Sequence, residues 1–443
     1  MYKRVIYIII LVSLSIFAYS QDTINYKNID ELSYEQYLKG DWNKLIKTCK
    51  LGLENNIDYY YLRMRIGIAY YEKKNYVKAY KHFEKAITFN ATDTLLQEYL
   101  YYSYLFSGMS YKAKEYGRTL SFEQQMKFNK APSPKITSLF MEGGIVQNVD
   151  YEKLLETDIR SMYLVNDQIL IKNSSYFNAG ITHPFSEKAT MIHSLTYLNI
   201  QNLQRTVHGD IFEERTDHEV NQIQYYIGLN NTLKDNYNYD IALHVANINS
   251  EYTRIGMVFD SLYPPEPVFR EENYSSTEFV LFLGINKRIN RSNFNLFGSY
   301  SNFNFEKQKQ IGLAYTYYPF GNTNFYTRTK VVECFNTTTN TVFDQAIAFK
   351  LSKLKFEASI TLGKQQNYNE NNAYLIYNGA DKITRKINLL LSYSIGEKVN
   401  LSFRFNKYFY NAYTDQFMNP GYVIPDFYDY ISQSYIFSLN YKF

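Results

Sequence analysis

The chain has 443 residues, of which 47 are Tyr and 31 are Phe, and its formal net charge is +4. That charge is small for the length, so the sequence lacks the basic footprint of a nucleic-acid-binding protein. The two cysteines, Cys49 and Cys334, are interpreted as single buried thiols rather than as a disulfide framework. Beyond the first residues, no apolar run approaches the roughly 20 residues that a membrane-spanning helix needs.

Residues 1–20 are typical of a secretory signal peptide. Lys3 and Arg4 precede an almost continuously apolar run, and Ala18-Tyr19-Ser20 places small residues where a signal peptidase reads them. The apolar run is shorter than a spanning helix. We therefore expect export of the chain, with cleavage before Gln21.

Residues 25–130 carry a helical pattern with a 34-residue repeat. Its central copy is marked by Ile66, Gly67, Tyr70, Ala79, Phe83 and Ala86. Steps of 34 lead from Tyr70 to Tyr104 and from Ala79 back to Leu45. This segment resembles the tetratricopeptide repeat, in which small residues let two antiparallel helices approach closely. About three copies are predicted, followed by a linker over residues 122–134.

The resemblance implies a groove that binds a protein or peptide. Candidate groove residues are Tyr59, Tyr60, Arg63, Arg65 and Tyr101. The alternative is a short spacer whose aromatic side chains pack internally or against the mouth of a barrel. The sequence favours neither interpretation.

Over residues 136–443 the helical period gives way to segments in which apolar and polar residues alternate. The clearest are 223–229, 241–248, 279–285, 311–317, 354–362, 387–395 and 399–405. Alternation in segments of about ten residues is typical of transmembrane β-barrels. A closed barrel is also how an exported chain without apolar helices can enter a membrane, because every backbone polar group must be paired there.

The last nine residues alternate in the same way and end in Phe443. They resemble the closing strand of bacterial outer-membrane β-barrels. That resemblance implies two partners, the outer-membrane lipid and the barrel-assembly machinery that recognises such a strand.

The spacing of the segments predicts the topology of the barrel. Short turns are expected near residues 184–190, 233–239, 288–292, 320–323, 352–353 and 396–398. Longer loops are expected near residues 148–174, 203–216, 252–273, 364–386 and 410–431. This alternation predicts about 14 strands, and the ambiguous segment 373–378 could change the count to 12 or 16.

Charged residues are predicted to line the lumen. They are Arg328, Lys330, Lys355, Glu357 and Arg404. A basic wall would favour anionic solutes, whereas mixed charges would pair across the interior, and the position of Glu357 favours pairing. The aromatic residues of the last long loop, such as Tyr413 and Tyr430, exceed what an interfacial girdle needs. They could stack on sugars or pack the loop as a plug.

The sequence contains no motif for catalysis, metal binding or phosphate binding, so no catalytic residue, metal or cofactor is predicted. None of the six histidines has a spacing that fixes a ligand or catalytic geometry. His244, expected in the lumen between Ala242 and Ala246, is interpreted as a pore-lining group. It would be the candidate base of a less favoured hypothesis, a barrel enzyme that modifies lipid.

A periplasmic repeat array joined to an outer-membrane barrel is similar to two groups of proteins. One comprises exopolysaccharide exporters, and the other comprises outer-membrane proteins of Bacteroidota-type bacteria, including relatives of the YaiO barrel family. The short array and the Asn-rich, Tyr-rich composition favour the second group. The resemblance implies a role in transport, export or envelope assembly. The alternative is a non-conducting anchor that recruits a periplasmic protein through its repeats.

Overall fold

The computed structural model describes residues 24–128, 135–160, 165–208, 212–233, 237–258, 266–336, 338–418 and 422–443. The predicted signal peptide lies outside these residues, as does 129–134 of the predicted linker. The chain divides into two compact units, one helical and one formed by β-strands. The predicted fold class, helical repeats followed by a closed antiparallel barrel, is confirmed.

The helical unit consists of three helix pairs and one further helix. They are α1 (Tyr26–Leu38), α2 (Trp42–Glu54), α3 (Tyr60–Glu72), α4 (Tyr76–Ala86), α5 (Thr94–Phe106), α6 (Ser110–Arg118) and α7 (Phe122–Phe128). The first helices of the pairs begin at residues 26, 60 and 94, and the second at 42, 76 and 110. Both series advance in steps of 34, the period predicted from the sequence. Residues 122–128 are helical, so the prediction of a linker there was wrong.

Small residues allow these helices to pack closely. A Cβ atom added to Gly67 would lie 2.4 Å from Cε1 of Phe83, which is fully buried. Ala79 and Ala86 are also fully buried in the same core. Among the described helices, none combines the length and the apolar character needed to cross a membrane.

The described part of the second unit contains sixteen strands, one short α-helix, α8 (Tyr151–Glu156), and one 3-10 turn, Phe303–Phe305. The strands are β1 (Ser138–Asn148), β2 (Val165–Pro184), β3 (Ala189–His208), β4 (Phe212–Thr232), β5 (Tyr237–Val258), β6 (Glu266–Ile289), β7 (Ser292–Ser301), β8 (Gln308–Tyr317), β9 (Phe325–Phe335), β10 (Thr339–Leu351), β11 (Leu354–Gln365), β12 (Tyr368–Glu370), β13 (Leu375–Tyr377), β14 (Lys382–Ile395), β15 (Val399–Met418) and β16 (Tyr422–Lys442). Fourteen of them form the closed barrel, and β12 and β13 form a separate two-stranded sheet.

The barrel closes where β1 pairs with β16. The register runs from Ser138 opposite Lys442 to Asn148 opposite Ser432. On its other edge β1 pairs with β2. The alternating segment at the end of the sequence is therefore the closing strand of the wall.

Side chains alternate between the two faces of the wall, as β8 illustrates. Ile311 and Leu313 are 56% and 55% exposed on the outer face, whereas Gln310 and Thr316 are buried on the inner face. β15 follows the predicted orientation, with Leu401 exposed and Asn406 buried. The barrel thus has an apolar outer belt and a polar interior.

The two ends of the barrel differ. At one, here called the turn end, the described connections lie where short turns were predicted. At the other, the loop end, most of the predicted long loops were wrong. Residues 203–208, 252–258 and 410–418 instead continue β3, β5 and β15. These extensions carry polar side chains on both faces. Apolar and polar residues therefore do not alternate in the sequence, although the backbones still pair as strands.

One loop-end connection, residues 366–381, folds into the lumen. It contains β12 and β13, paired from Tyr368 opposite Tyr377 to Glu370 opposite Leu375. We call it the plug hairpin. The ambiguous segment 373–378 therefore belongs to this hairpin, and the wall has 14 strands.

Part of the loop-end mouth of the barrel is bridged by its own strands. The extension of β15 pairs with β16 and also with β2, where Asp415 lies opposite Asp167. In the wall these two strands are separated by β16 and β1, so the extension must cross the mouth. A small apolar cluster beneath it comprises Leu154 of α8, Leu170, Leu203, Ala412 and Tyr430.

Candidate functional site

A buried ion pair holds the base of the plug hairpin to the wall. Lys386 Nζ lies 2.6 Å from Glu370 Oε2, and the two side chains are 7% and 6% exposed. Lys386 also donates to the hydroxyl of Tyr377, which in turn donates to Glu370. A buried carboxylate requires such partners, because an unpaired charge is costly to remove from water.

The tip of the hairpin, residues 371–374, is held by hydrogen bonds to the opposite wall. Nδ1 of His244 lies 2.7 Å from the carbonyl oxygen of Ala373. Tyr226 donates to the carbonyl of Asn372, and Tyr374 donates to the side chain of Asn178. The plug hairpin therefore spans the lumen, with its base at β14 and its tip at β2, β4 and β5.

The backbone of the tip is strained. Asn371, Asn372 and Ala373 have φ angles of 52°, 60° and 64°. Asn tolerates this left-handed region, but for Ala it costs about 1–2 kcal/mol. The contacts with the wall must offset that strain for the hairpin to remain inserted.

Two cavities lie on either side of the tip. One, here called the loop-side cavity, has a volume of about 370 Å³ and is bordered by the hairpin and by strands β1, β2, β11 and β14–β16. The other, the turn-side cavity, has a volume of about 420 Å³ and is bordered by residues such as Phe140, Asp240 and Asn440. Asn371 and Tyr374 line both cavities. The tip is thus the partition between them.

The structure brings most of the predicted lumen residues together as pairs. Arg328 lies 3.4 Å from Glu357, and Lys355 lies 3.2 Å from the same carboxylate. Arg404 faces Glu142 at 3.9 Å. Lys330 lines the loop-side cavity. This arrangement follows the cross-paired interpretation of the lumen charges rather than a basic wall.

His244 does not have the surroundings of a catalytic base. It is 2% exposed, and its ring nitrogens face the carbonyl of Ala373 and, at 3.2 Å, the amide oxygen of Gln224. Its contacts position the plug hairpin. Among the residues described, no cluster of three or more His, Cys, Asp or Glu side chains could hold a metal ion.

The five candidate groove residues of the helical unit all make contacts within that unit. Tyr59 and Arg65 contact Asp30, and Arg65 is 9% exposed. Tyr60 donates to Asp93, while Arg63 pairs with Asp58 at 2.6 Å. The ring of Tyr101 stacks on Phe128 at 4.2 Å. These contacts fit internal packing, and the binding groove stays a prediction.

His82 adds a buried titratable group to the helical unit. Burial lowers the pKa of His82 to about 4, and the guanidinium of Arg63 beside it acts in the same direction. Its imidazole is therefore neutral near pH 7 and packs on the ring of Tyr70 at 5.6 Å.

Sequence reasoning missed the residues that hold the plug. Lys386 could have been found from the alternation along β14. Every second residue of this strand, such as Lys386, Asn388 and Leu390, faces the lumen, and the residues between them form an apolar outer face. Glu370 gave no such signal, since it lies in a short polar segment without a sustained period.

No family model matches the chain, and no curated protein matches its sequence. Similar solved structures include a Pseudomonas aeruginosa FadL homologue, with 7% identity over 70% of this chain and 90% of that chain and a TM-score of 0.46. The Ralstonia pickettii toluene transporter TbuX has 7% identity over 69% of this chain and 90% of that chain, with a TM-score of 0.43. The Acinetobacter baumannii outer membrane protein Omp33 has 10% identity over 70% and 99%, with a TM-score of 0.33. These low values carry no functional argument, which must come from the site.

Proposed function

We propose that this chain is an outer-membrane transport protein in which the plug hairpin is a movable partition across the lumen. The observation that carries the proposal is the position of the tip, whose residues Asn371 and Tyr374 line both cavities. A solute in the loop-side cavity would reach the turn-side cavity when the tip moves away from the wall.

The outer surface of the wall supports a location in a membrane. Leu281, Leu283, Leu296, Ile311 and Leu313 are between 51% and 60% exposed on neighbouring strands. A contiguous apolar surface of this kind is unfavourable in water and matches the lipid-facing band of barrels. Short turns are typical of the periplasmic end of such barrels. Because the wall begins at the turn end, we place the helical unit in the periplasm.

The contacts of the plug suit a movable element. The tip is held by hydrogen bonds to His244, Tyr226 and Asn178. Each such bond has a net worth of about 0.5–1.5 kcal/mol, because water can replace the lost partner. Release of the tip would also relieve the left-handed strain at Ala373. Ala373 also lies in a small apolar cluster with Phe282 and Phe303. Movement of the tip is therefore opposed by this packing and favoured by the relief of strain.

The second candidate is a non-conducting anchor whose helical unit recruits a periplasmic protein. It is favoured by two elements that obstruct the lumen, namely the plug hairpin and the β15 extension that pairs with β2 at the mouth. For an anchor, the barrel interior needs no pathway for a solute.

A reversible disulfide distinguishes these candidates. The amide of Asn369 donates to the hydroxyl of Ser299 on β7 at 2.9 Å, so Ser299→Cys with Asn369→Cys places the two thiols on facing elements. Formation of the disulfide on oxidation is verified by the loss of free thiols. The variant is made with Cys49 and Cys334 replaced by Ala, because both are free thiols. Single-channel currents are recorded in planar bilayers before oxidation, after oxidation and after reduction.

For a transport protein we expect discrete openings that disappear on oxidation and return on reduction. Ser299→Cys alone is the control and should conduct under all three conditions. Silence of the unoxidised protein, with the barrel shown to be folded by its heat-dependent gel migration, would overturn the transport proposal and favour the anchor. Openings that persist in the fully oxidised variant would show that the pathway does not require movement of the plug.

A further inference from the structure

We propose that the loop-side cavity binds a neutral saccharide of one or two rings. This inference rests on the proposed transport function, for which it names the class of solute. It is argued from the aromatic wall of the cavity, from its paired charges, from an unpartnered amide and from its size.

The cavity wall is unusually rich in tyrosine. Six tyrosines line it: Tyr176, Tyr374, Tyr377, Tyr408, Tyr410 and Tyr430. Tyr410 and Tyr430 stack on each other with ring centroids 4.7 Å apart, so each has one ring face left for other contacts. An aromatic ring offers a flat apolar face together with a polar hydroxyl. A sugar ring is complementary to both, because its C–H bonds form an apolar face and its hydroxyl groups lie around the edge.

The charges of the cavity do not favour an ionic ligand. Its lining includes four basic side chains and five acidic ones, namely Arg328, Lys330, Lys386, Arg404, Glu142, Asp344, Glu357, Glu370 and Asp381. Arg328, Lys386 and Arg404 already face carboxylates of the protein. An anion would therefore meet a carboxylate beside three of the four basic side chains.

The same charges oppose a purely apolar ligand. A hydrocarbon that filled the cavity would remove water from Arg404 and Glu142, whose closest atoms are 3.9 Å apart, without replacing its hydrogen bonds. A hydroxylated neutral molecule can donate to the carboxylates and accept from the cations. Such a ligand replaces the hydrogen bonds that these charged groups would otherwise make with water.

Amide side chains supply further hydrogen-bonding capacity. Asn388 donates to Asn406, which donates to Ser434, so a polar row crosses β14, β15 and β16 along the cavity. Gln365 also lines the cavity and is 1% exposed, and neither atom of its carboxamide has a partner among the described residues. An unpartnered buried amide is costly, and a ligand hydroxyl would satisfy it once the side chain turned towards the cavity.

The volume sets the size of the ligand. About 370 Å³ lies at the lower end of the roughly 300–1,000 Å³ found for small-molecule sites. This space suits one or two sugar rings and is too small for a longer chain to be held within it.

The test is a calorimetric titration of the purified full chain in a detergent without a sugar headgroup. The probes are maltose, cellobiose and diacetylchitobiose, with gluconate and toluene as the anionic and apolar comparators. We expect at least one neutral disaccharide to bind with one site per chain. Tyr410→Ala should weaken that binding roughly 10-fold, since aromatic contact of this kind is worth about a kcal/mol.

Two variants separate a binding role from a structural one. Gln365→Leu should weaken binding without lowering the thermal stability of the barrel, because the amide it removes has no partner in the protein. Tyr413→Ala is the matched control, since Tyr413 lies on the same strand as Tyr410 but is 38% exposed on the outer face. It should bind as the unaltered chain does.

The saccharide proposal is overturned if no neutral probe binds, if gluconate or toluene binds instead, or if Tyr410→Ala and Gln365→Leu bind as tightly as the unaltered chain. Channel openings without sugar binding would remove the ligand class and leave the transport function in place. Sugar binding by a chain that never conducts would support the ligand class and overturn the transport function.

Discussion

At the scale of single residues, the ion pair between Lys386 and Glu370 is the buried charge contact that holds the base of the plug hairpin to the wall. Glu370→Gln removes the carboxylate that lies 2.6 Å from Lys386 Nζ. Breaking one partner of a buried pair typically costs about 3–5 kcal/mol, because the remaining charge is left uncompensated. Because the proposed transport function requires the plug hairpin to move, we expect this cost to appear as plug release rather than as unfolding of the barrel.

The measurement is the open probability in planar bilayers, which should rise severalfold for Glu370→Gln. The double variant Glu370→Gln with Lys386→Met should return towards the value of the unaltered chain, because it removes the stranded ammonium group. Lys398→Met, at an exposed lysine next to β15, is a control for loss of one positive charge. An open probability equal to that of the unaltered chain would show that the pair does not hold the plug.

At the scale of elements, the close approach of α3 and α4 depends on Gly67. The added methyl group of Gly67→Ala would meet three ring atoms of Phe83 within 2.9 Å. Overpacking of a filled core typically costs about 1–3 kcal/mol. We expect the helical unit to lose stability by that amount while the barrel is unaffected.

The single tryptophan of the chain makes this measurable. Trp42 lies in α2 and packs against the helical core, so its fluorescence during urea unfolding reports on the helical unit. Gly117→Ala is the matched control, because its added methyl group would come no closer than 3.2 Å to Tyr101 and would gain helix propensity. Equal midpoints for the two variants would contradict the close-packing argument.

The elements also show what a sequence can and cannot predict. The 34-residue helical period and the alternation in 399–405 were readable because each places apolar residues on one face of a repeating structure. The plug hairpin was not, since β12 and β13 are three residues each, too short to show a sustained period in the sequence. A period of two says that a segment is extended, but it does not say whether the segment lies in the wall or inside it. The contact of Asn369 with Ser299, or of Tyr374 with Asn178, joins residues about 70 and 196 positions apart, and no local pattern encodes such a pairing.

At the scale of the whole molecule, the two compact units allow the transport and anchor candidates to be separated genetically. Deletion of residues 25–130 should leave the channel openings of the barrel unchanged, because the plug contacts described here lie within the barrel. In the shortened protein, oxidation of the Ser299→Cys and Asn369→Cys pair should still block these openings. The check is a planar-bilayer recording of the shortened protein beside the full chain. Loss of the openings in a folded barrel would instead assign the helical unit a part in gating.

The seam between β1 and β16 has a consequence for the order of assembly. It joins Ser138 to Lys442, the widest sequence separation of any pairing in the wall, whereas most neighbouring strands are consecutive hairpins. Contacts between distant residues form slowly, because a long loop must first be closed. The hairpin between β11 and β14 is complete in sequence well before that seam can close. We therefore expect the curved sheet to wrap around the hairpin during biogenesis, so that the plug serves as an internal template for the wall that later encloses it.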